Sequence, residues 1–114
     1  MRIKIITITN KGFEPLTDVW EKSIQEFCDN NENISYEIIQ IPEDFERRPP
    51  WFKLKAIEQT IQDDVCDYIL WIDSDAIIFN SDLDIGKFFE SGKELYISKD
   101  CSREINSGVM GIKS

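Results

Sequence analysis

The sequence predicts an α/β fold, a three-layer α/β/α arrangement around a mainly parallel, mixed sheet of Rossmann-like type. Three observations lead there. Strand-like and helix-like segments alternate along the whole chain. Tyr68–Ile72 is an unbroken apolar run bounded by Asp67 and Asp73, the pattern of a central strand covered on both faces. The chain has 114 residues, which suits one compact domain and leaves no room for two.

Each element has its own local signal. Ile3–Thr9 is β-branched and apolar, and Asn10-Lys11-Gly12 supplies a turn after it, so it is expected as the first strand. Pro15 stands where a first-turn proline is tolerated. Leu16, Val19, Trp20, Ile24 and Phe27 then recur at helical spacing with charges between them. Asn30, Asn31 and Asn33 break that helix, and Ile34–Ile41 reads as the second strand. Pro42–Pro50 is a polar loop with Arg47, Arg48 and two adjacent prolines. A second helix is expected from Trp51, with Trp51, Leu54, Ile57 and Ile61 on one face. After the central strand, Ile77–Phe79 reads as a short extended piece. Ser81-Asp82-Leu83-Asp84 has the form of a helix cap, Ser81 as N-cap and Asp84 reaching back. Phe88 and Phe89 anchor the helix it opens, and Gly92 ends it. Leu95–Ser98 and Gly108–Ile112 are expected as the last strands.

Lys and Arg number 13 against 22 Asp and Glu, a net charge of −9. That balance argues against a nucleic-acid partner, which needs a basic stripe. An acidic protein that binds an anion must supply positive charge locally, and a divalent cation is the compact way to do so. Cys28, Cys66 and Cys101 are odd in number and show no metal-ligand spacing. Packing is the expected role of the first two, and a reducing, cytoplasmic compartment suits them. The first ten residues have no signal-peptide layout, and no apolar stretch approaches membrane-spanning length.

Asp73 and Asp75 stand just past the end of the central strand, the edge at which open α/β sheets bind ligands. Two carboxylates this close repel unless a cation lies between them. Mg²⁺ and Mn²⁺ take oxygen ligands and leave positions free for substrate phosphates. The bland alternative is that the pair only ends the strand and caps a turn.

Three segments together resemble the GT-A-fold glycosyltransferases that use nucleotide-diphosphate sugars, the galactosyl- and mannosyltransferase-like groups above all. Trp51-Phe52-Lys53-Leu54-Lys55-Ala56 is similar to the helix that brings a basic residue to the diphosphate. Ile72-Asp73-Ser74-Asp75-Ala76 is similar to the metal-binding DxD segment, and Asn106-Ser107-Gly108-Val109 to the segment that contacts the transferred sugar.

The resemblance implies a metal-dependent transfer of a sugar from a UDP- or GDP-linked donor to a carbohydrate or glycoconjugate acceptor, with Mn²⁺ or Mg²⁺ as cofactor. By it, Asp75 is the direct metal ligand, and Asp73 shares the metal or contacts the ribose. Ser74 belongs to the same donor-binding segment. Thr7, Thr9 and Asn10 line the nucleoside pocket. Lys53 neutralises the diphosphate, with Lys55 as its substitute if the helix phase differs. One or two of Asn106, Ser107 and Gly108 hold sugar hydroxyls.

The chain has no histidine, whereas family members often add a histidine metal ligand from a C-terminal segment. Residues 1–114 are therefore expected to form a single donor-binding core without the acceptor-binding part. No catalytic base can be named. A non-catalytic nucleotide-sugar-binding module is the first alternative. A haloacid-dehalogenase-type phosphatase and a receiver-type signalling domain fit less well. Both place their acidic residues after the first strand, where this chain has Thr9-Asn10. Of the lesser candidates, Arg47 and Arg48 could close over a phosphate, and Phe45 and Trp51 could stack on a ring. Each has an ordinary reading as solvent-facing charge or as core.

Overall fold

The computed structural model describes residues 1–12, 14–63, 65–78, 82–99, 101–102 and 104–114. Its strands are β1 (Ile3–Thr9), β2 (Ile34–Gln40), β3 (Tyr68–Ile72), β4 (Leu95–Lys99) and β5 (Ile105–Lys113). They form one sheet in the order β2-β1-β3-β5-β4. β1 pairs in parallel with β2 on one side and with β3 on the other. Only β5 runs against the rest, antiparallel to both β3 and β4. The sheet is thus mainly parallel and mixed, as expected.

Successive side chains of a strand point to opposite faces, and this splits the core in two. Ile3 and Ile5 pack with Trp20, Ile24 and Phe27 of α1 (Glu14–Asp29), alongside Tyr68 and Ile72. Ile6 and Ile8 pack on the other face with Ala56 of α2 (Pro49–Asp63), alongside Ile69 and Trp71. A short 3-10 helix, Ile85–Phe89, joins the α1 face. There Phe89 stacks on Tyr68 with centroids 4.4 Å apart and meets Tyr96 edge-on at 5.2 Å. Gly111 makes room for it: a Cβ at that position would lie 2.5 Å from Phe89 Cε1.

Several local expectations are corrected. On α1 the buried seam is Thr17, Trp20, Ile24 and Phe27, while Leu16 and Val19 stay exposed. Each of the two outliers precedes a seam residue by one position, so it is turned away by about 100°. On α2 the buried residues are Ala56 and Thr60, and Trp51 and Leu54 are 53% and 59% exposed. Small side chains let this helix lie close on the sheet, which sets its phase against its own largest apolar residues. The helix also opens two residues before Trp51, at Pro49, where the missing N–H costs nothing.

The capping segment differs as well. Asp84 occupies the N-cap and makes no side-chain cap bond, and the helix it opens is of the 3-10 type. Ser81 and Phe79, which entered the sequence expectations, lie outside the described residues. Ile77 and Ile78 have no regular secondary structure. Gly92 does close the segment, at φ 67°, with its N–H donating to the Phe89 carbonyl at 3.1 Å. β5 starts at Ile105, so Asn106 and Ser107 lie inside the strand. Among the described residues, no helix is long and apolar enough to cross a membrane.

Candidate functional site

Because β2 and β3 flank β1 on opposite sides, a crevice opens at the C-terminal ends of β1 and β3, the switch point of the sheet. A cavity of about 350 Å³ occupies it. Thr7 and Ile8 line it from β1, Leu16 from α1, and Pro49, Pro50 and Lys53 from α2. Trp71, Asp73, Ser74 and Asp75 line it from the end of β3, and Ser107 from β5. Three stretches distant in the sequence, around Lys53, Asp73 and Ser107, therefore meet in one place.

The geometry centres on Asp73. Its main-chain N–H donates to the Gly108 carbonyl at 2.8 Å, and its own carbonyl accepts from Ala76 at 2.9 Å, closing a turn through Ser74 and Asp75. Trp71 Nε1 donates to Asp73 Oδ1 at 2.6 Å. Lys53 Nζ stands 3.7 Å from the same oxygen. That ammonium also donates to the Ser107 carbonyl and lies 4.9 Å from the centroid of the Trp71 ring.

Only 13% of the Lys53 side chain is exposed, against 43% of Asp73. Burial lowers the Lys53 pKa below its ordinary value, and the Asp73 carboxylate opposes that shift. Asp75 is exposed at the cavity and has no hydrogen bond or ion pair among the described residues.

The remaining candidates separate. Lys55 and Leu54 are exposed and lie off the cavity, so the inward residue of that trio is Lys53. Asn106 Oδ1 accepts from the Gly108 N–H at 2.8 Å. A Cβ on Gly108 would come within 3.0 Å of Asn106 Oδ1 and 3.1 Å of Asp73 Oδ2.

Thr7 is fully buried, and its hydroxyl has no hydrogen-bond partner among the described residues. The Thr9 hydroxyl pairs with that of Thr17 at 2.8 Å, and Asn10 Oδ1 accepts from the Gly12 N–H at 3.0 Å. Both groups serve local structure, and neither residue lines the cavity. Arg47 stacks over the exposed Trp51 at 5.6 Å, and Phe45 packs edge-on against Phe52 at 5.2 Å. None of these, nor Arg48, lines the cavity.

Trp71 was missed as a site residue. The available signal is the strand period: residues i and i+2 share a face, so Trp71 and Asp73 point the same way.

No protein-family model matches the chain, and no curated protein matches it in sequence. Solved structures do. A glycosyltransferase involved in the glycosylation of the major capsid of PBCV-1 superposes with a TM-score of 0.78 at 18% identity, over 100% of this chain and 60% of that one. The fold is the one that this glycosyltransferase has. The apo form of the glycosyltransferase GlyE from Streptococcus pneumoniae TIGR4 gives 0.62 at 17% identity, over 99% of this chain and 34% of that one. A second GlyE structure gives 0.59 with the same identity and coverage. This chain thus spans less than two-thirds of the first of these glycosyltransferases and about one third of the other.

Proposed function

We propose that the chain is the donor-binding core of a metal-dependent glycosyltransferase, taking a nucleotide-diphosphate sugar in the crevice between β1 and β3. One observation carries this. In a glycosyltransferase fold, Asp73, Ser74 and Asp75 share a single cavity with Lys53 and Ser107.

The residues suit a Mg²⁺ or Mn²⁺ ion held jointly with substrate. Among the described residues no group of three or more His, Cys, Asp or Glu could hold a metal. An all-protein cage is therefore not what this pair offers. Mg²⁺ is commonly bound by one or two carboxylates with phosphates and water completing the shell. Asp75, exposed and unpartnered among the described residues, is the direct ligand. Asp73, one oxygen of which is already engaged by Trp71, is the second. Bound there, the ion would stabilise negative charge on the departing nucleoside diphosphate as a Lewis acid.

The chain's own groups do the rest. Lys53, held at the cavity wall, is placed to meet the diphosphate. Ser107, which lines the cavity from β5, is the candidate contact for sugar hydroxyls, whereas Asn106 lies off the cavity with its Oδ1 engaged by the Gly108 N–H. Leu16, Pro49 and Pro50 give the crevice apolar walls.

Calorimetric titration with UDP and GDP, with and without Mn²⁺, tests the proposal. Metal-dependent binding that Asp75→Ala abolishes is the expected result. Binding indifferent to metal, or none, would remove the support for a metal-bridged donor. Binding without sugar transfer to any acceptor would leave a donor-binding module in place of an enzyme.

A further inference from the structure

We infer that Lys53 is a resident counter-ion of Asp73, which a divalent metal must displace, so that metal binds tightly only together with a diphosphate. The inference rests on the donor-site proposal above and adds a rule for how that site fills.

The lysine is built into the carboxylate's surroundings. Its ammonium is fixed from three directions: by Asp73 Oδ1 at 3.7 Å, by the Ser107 carbonyl, and by the face of Trp71 at 4.9 Å. Fixing a lysine side chain costs it rotamer entropy that a free surface lysine keeps. Trp71 is the shared support. Its N–H holds Asp73 Oδ1 at 2.6 Å while its ring carries the cation that faces that same oxygen. The indole is 2% exposed, so its position is set by the core.

The electrostatics then give the order of events. A metal reaching Asp73 alone meets a fixed positive charge near one of its two carboxylate ligands, and like charges a few ångströms apart repel strongly at a protein surface. A diphosphate reverses the sign of that term. Its oxygens would accept from Lys53 and help to hold the metal, drawing the ammonium off Asp73 and leaving Oδ1 with only its bond from the Trp71 N–H. Coupling of this kind is reciprocal: the anion tightens the metal by the factor by which the metal tightens the anion.

The test measures protein-bound Mn²⁺ by equilibrium dialysis, with pyrophosphate at the same concentration on both sides so that its own chelation of the ion cancels. Wild type, Lys53→Met and Trp71→Phe are each titrated with Mn²⁺ alone and with Mn²⁺ under saturating inorganic pyrophosphate, after near-ultraviolet dichroism confirms the fold. In wild type, pyrophosphate is expected to tighten Mn²⁺ by roughly tenfold, an ordinary coupling between sites. Lys53→Met is expected to bind Mn²⁺ alone more tightly than wild type, and Mn²⁺ with pyrophosphate more weakly. Trp71→Phe keeps a ring and loses the N–H, and moves both affinities in the same senses by less. Partial unfolding would weaken both, so the opposite signs are diagnostic.

If Lys53→Met binds Mn²⁺ alone no better than wild type while wild type binds Mn²⁺-pyrophosphate well, the counter-ion role is wrong and the donor site stands. If wild type takes up no Mn²⁺ even with pyrophosphate yet Lys53→Met does, the counter-ion role stands and the donor site is wrong. Failure of both proteins to bind overturns both.

Discussion

The main-chain N–H of Asp73 donates to the carbonyl of Gly108 at 2.8 Å. That bond continues the antiparallel ladder of β3 and β5 one step past Ile72, which pairs with Val109. Two segments far apart in the chain are thereby joined at the lip of the cavity. The carboxylate is positioned by sheet geometry on its main-chain side and by Trp71 on its side-chain side.

Gly108 is tight against that carboxylate. A Cβ there meets Asn106 Oδ1 at 3.0 Å and Asp73 Oδ2 at 3.1 Å. Gly108→Ala is expected to push the Asp73 carboxylate by a few tenths of an ångström. Mn²⁺-UDP affinity should fall several-fold, roughly 1 kcal/mol, with little change in the thermal midpoint. Calorimetry beside a melting curve separates the two effects, and unchanged affinity would show that Asp73 is not a ligand.

Gly111 is constrained by packing. A Cβ would lie 2.5 Å from Phe89 Cε1 and 3.0 Å from Cζ, with Phe89 stacked on Tyr68. Gly111→Ala should cost about 1–3 kcal/mol, the usual range for overpacking a filled core. Urea unfolding should show a lower midpoint at unchanged slope, and an unchanged midpoint would mean that the aromatic cluster has slack.

The phase of α2 can be checked directly. Leu54→Gln, on the exposed face, is expected to change stability by less than about 0.5 kcal/mol. Ala56→Leu, on the face against the sheet, should cost about 1–3 kcal/mol. Chemical denaturation of the two variants decides it: equal effects would mean that the helix turns a different face to the sheet.

Alkaline pH should destabilise the fold. Burial, with Asp29 adding to it, pushes the Cys28 thiol up to about 11. Burial also raises Cys66 and Tyr36. A group whose folded pKa is raised gives its stabilisation in full below the unfolded value and loses it as pH climbs through the folded value. Unfolding free energy should therefore decline from the ordinary thiol value of 9.0 towards about 11, and Cys28→Ala should flatten that decline. The same burial predicts rates of thiol modification at mildly alkaline pH: exposed Cys101 reacts fast, and buried Cys66 and half-buried Cys28 slowly.

The sheet and its edge site were legible because their signals are local. β1 and β3 were read to the residue, since an unbroken apolar run between polar ends admits few alternatives, and Asp73 stands where such a run stops. The helices were harder. The apolar period on α2 pointed to Trp51 and Leu54, but the contact with the sheet is made through Ala56 and Thr60, whose small size leaves almost no hydrophobic signal. The same displacement put Lys53, not Lys55, at the carboxylate. Partners brought in from other elements could not be seen at all. That Thr9 is bound to Thr17, or that Ser107 receives the lysine, depends on contacts across the fold and not on spacing along one segment.

One of the two edge strands is β4, and along its ladder with β5 the partner jumps from Met110 at Ile97 to Asn106 at Ser98, so that Ser107, Gly108 and Val109 bulge on the β5 side. A bulge adds local twist to the pair it interrupts, and a twisted edge is a worse template for another strand than a flat one. Lys99, just beyond it, adds a charge to the same rim. Although Leu95 and Ile97 are left about half exposed there, the border is a poor template for strand-to-strand growth. The irregularity thus guards the molecule against fibre-like association at its most exposed apolar strand.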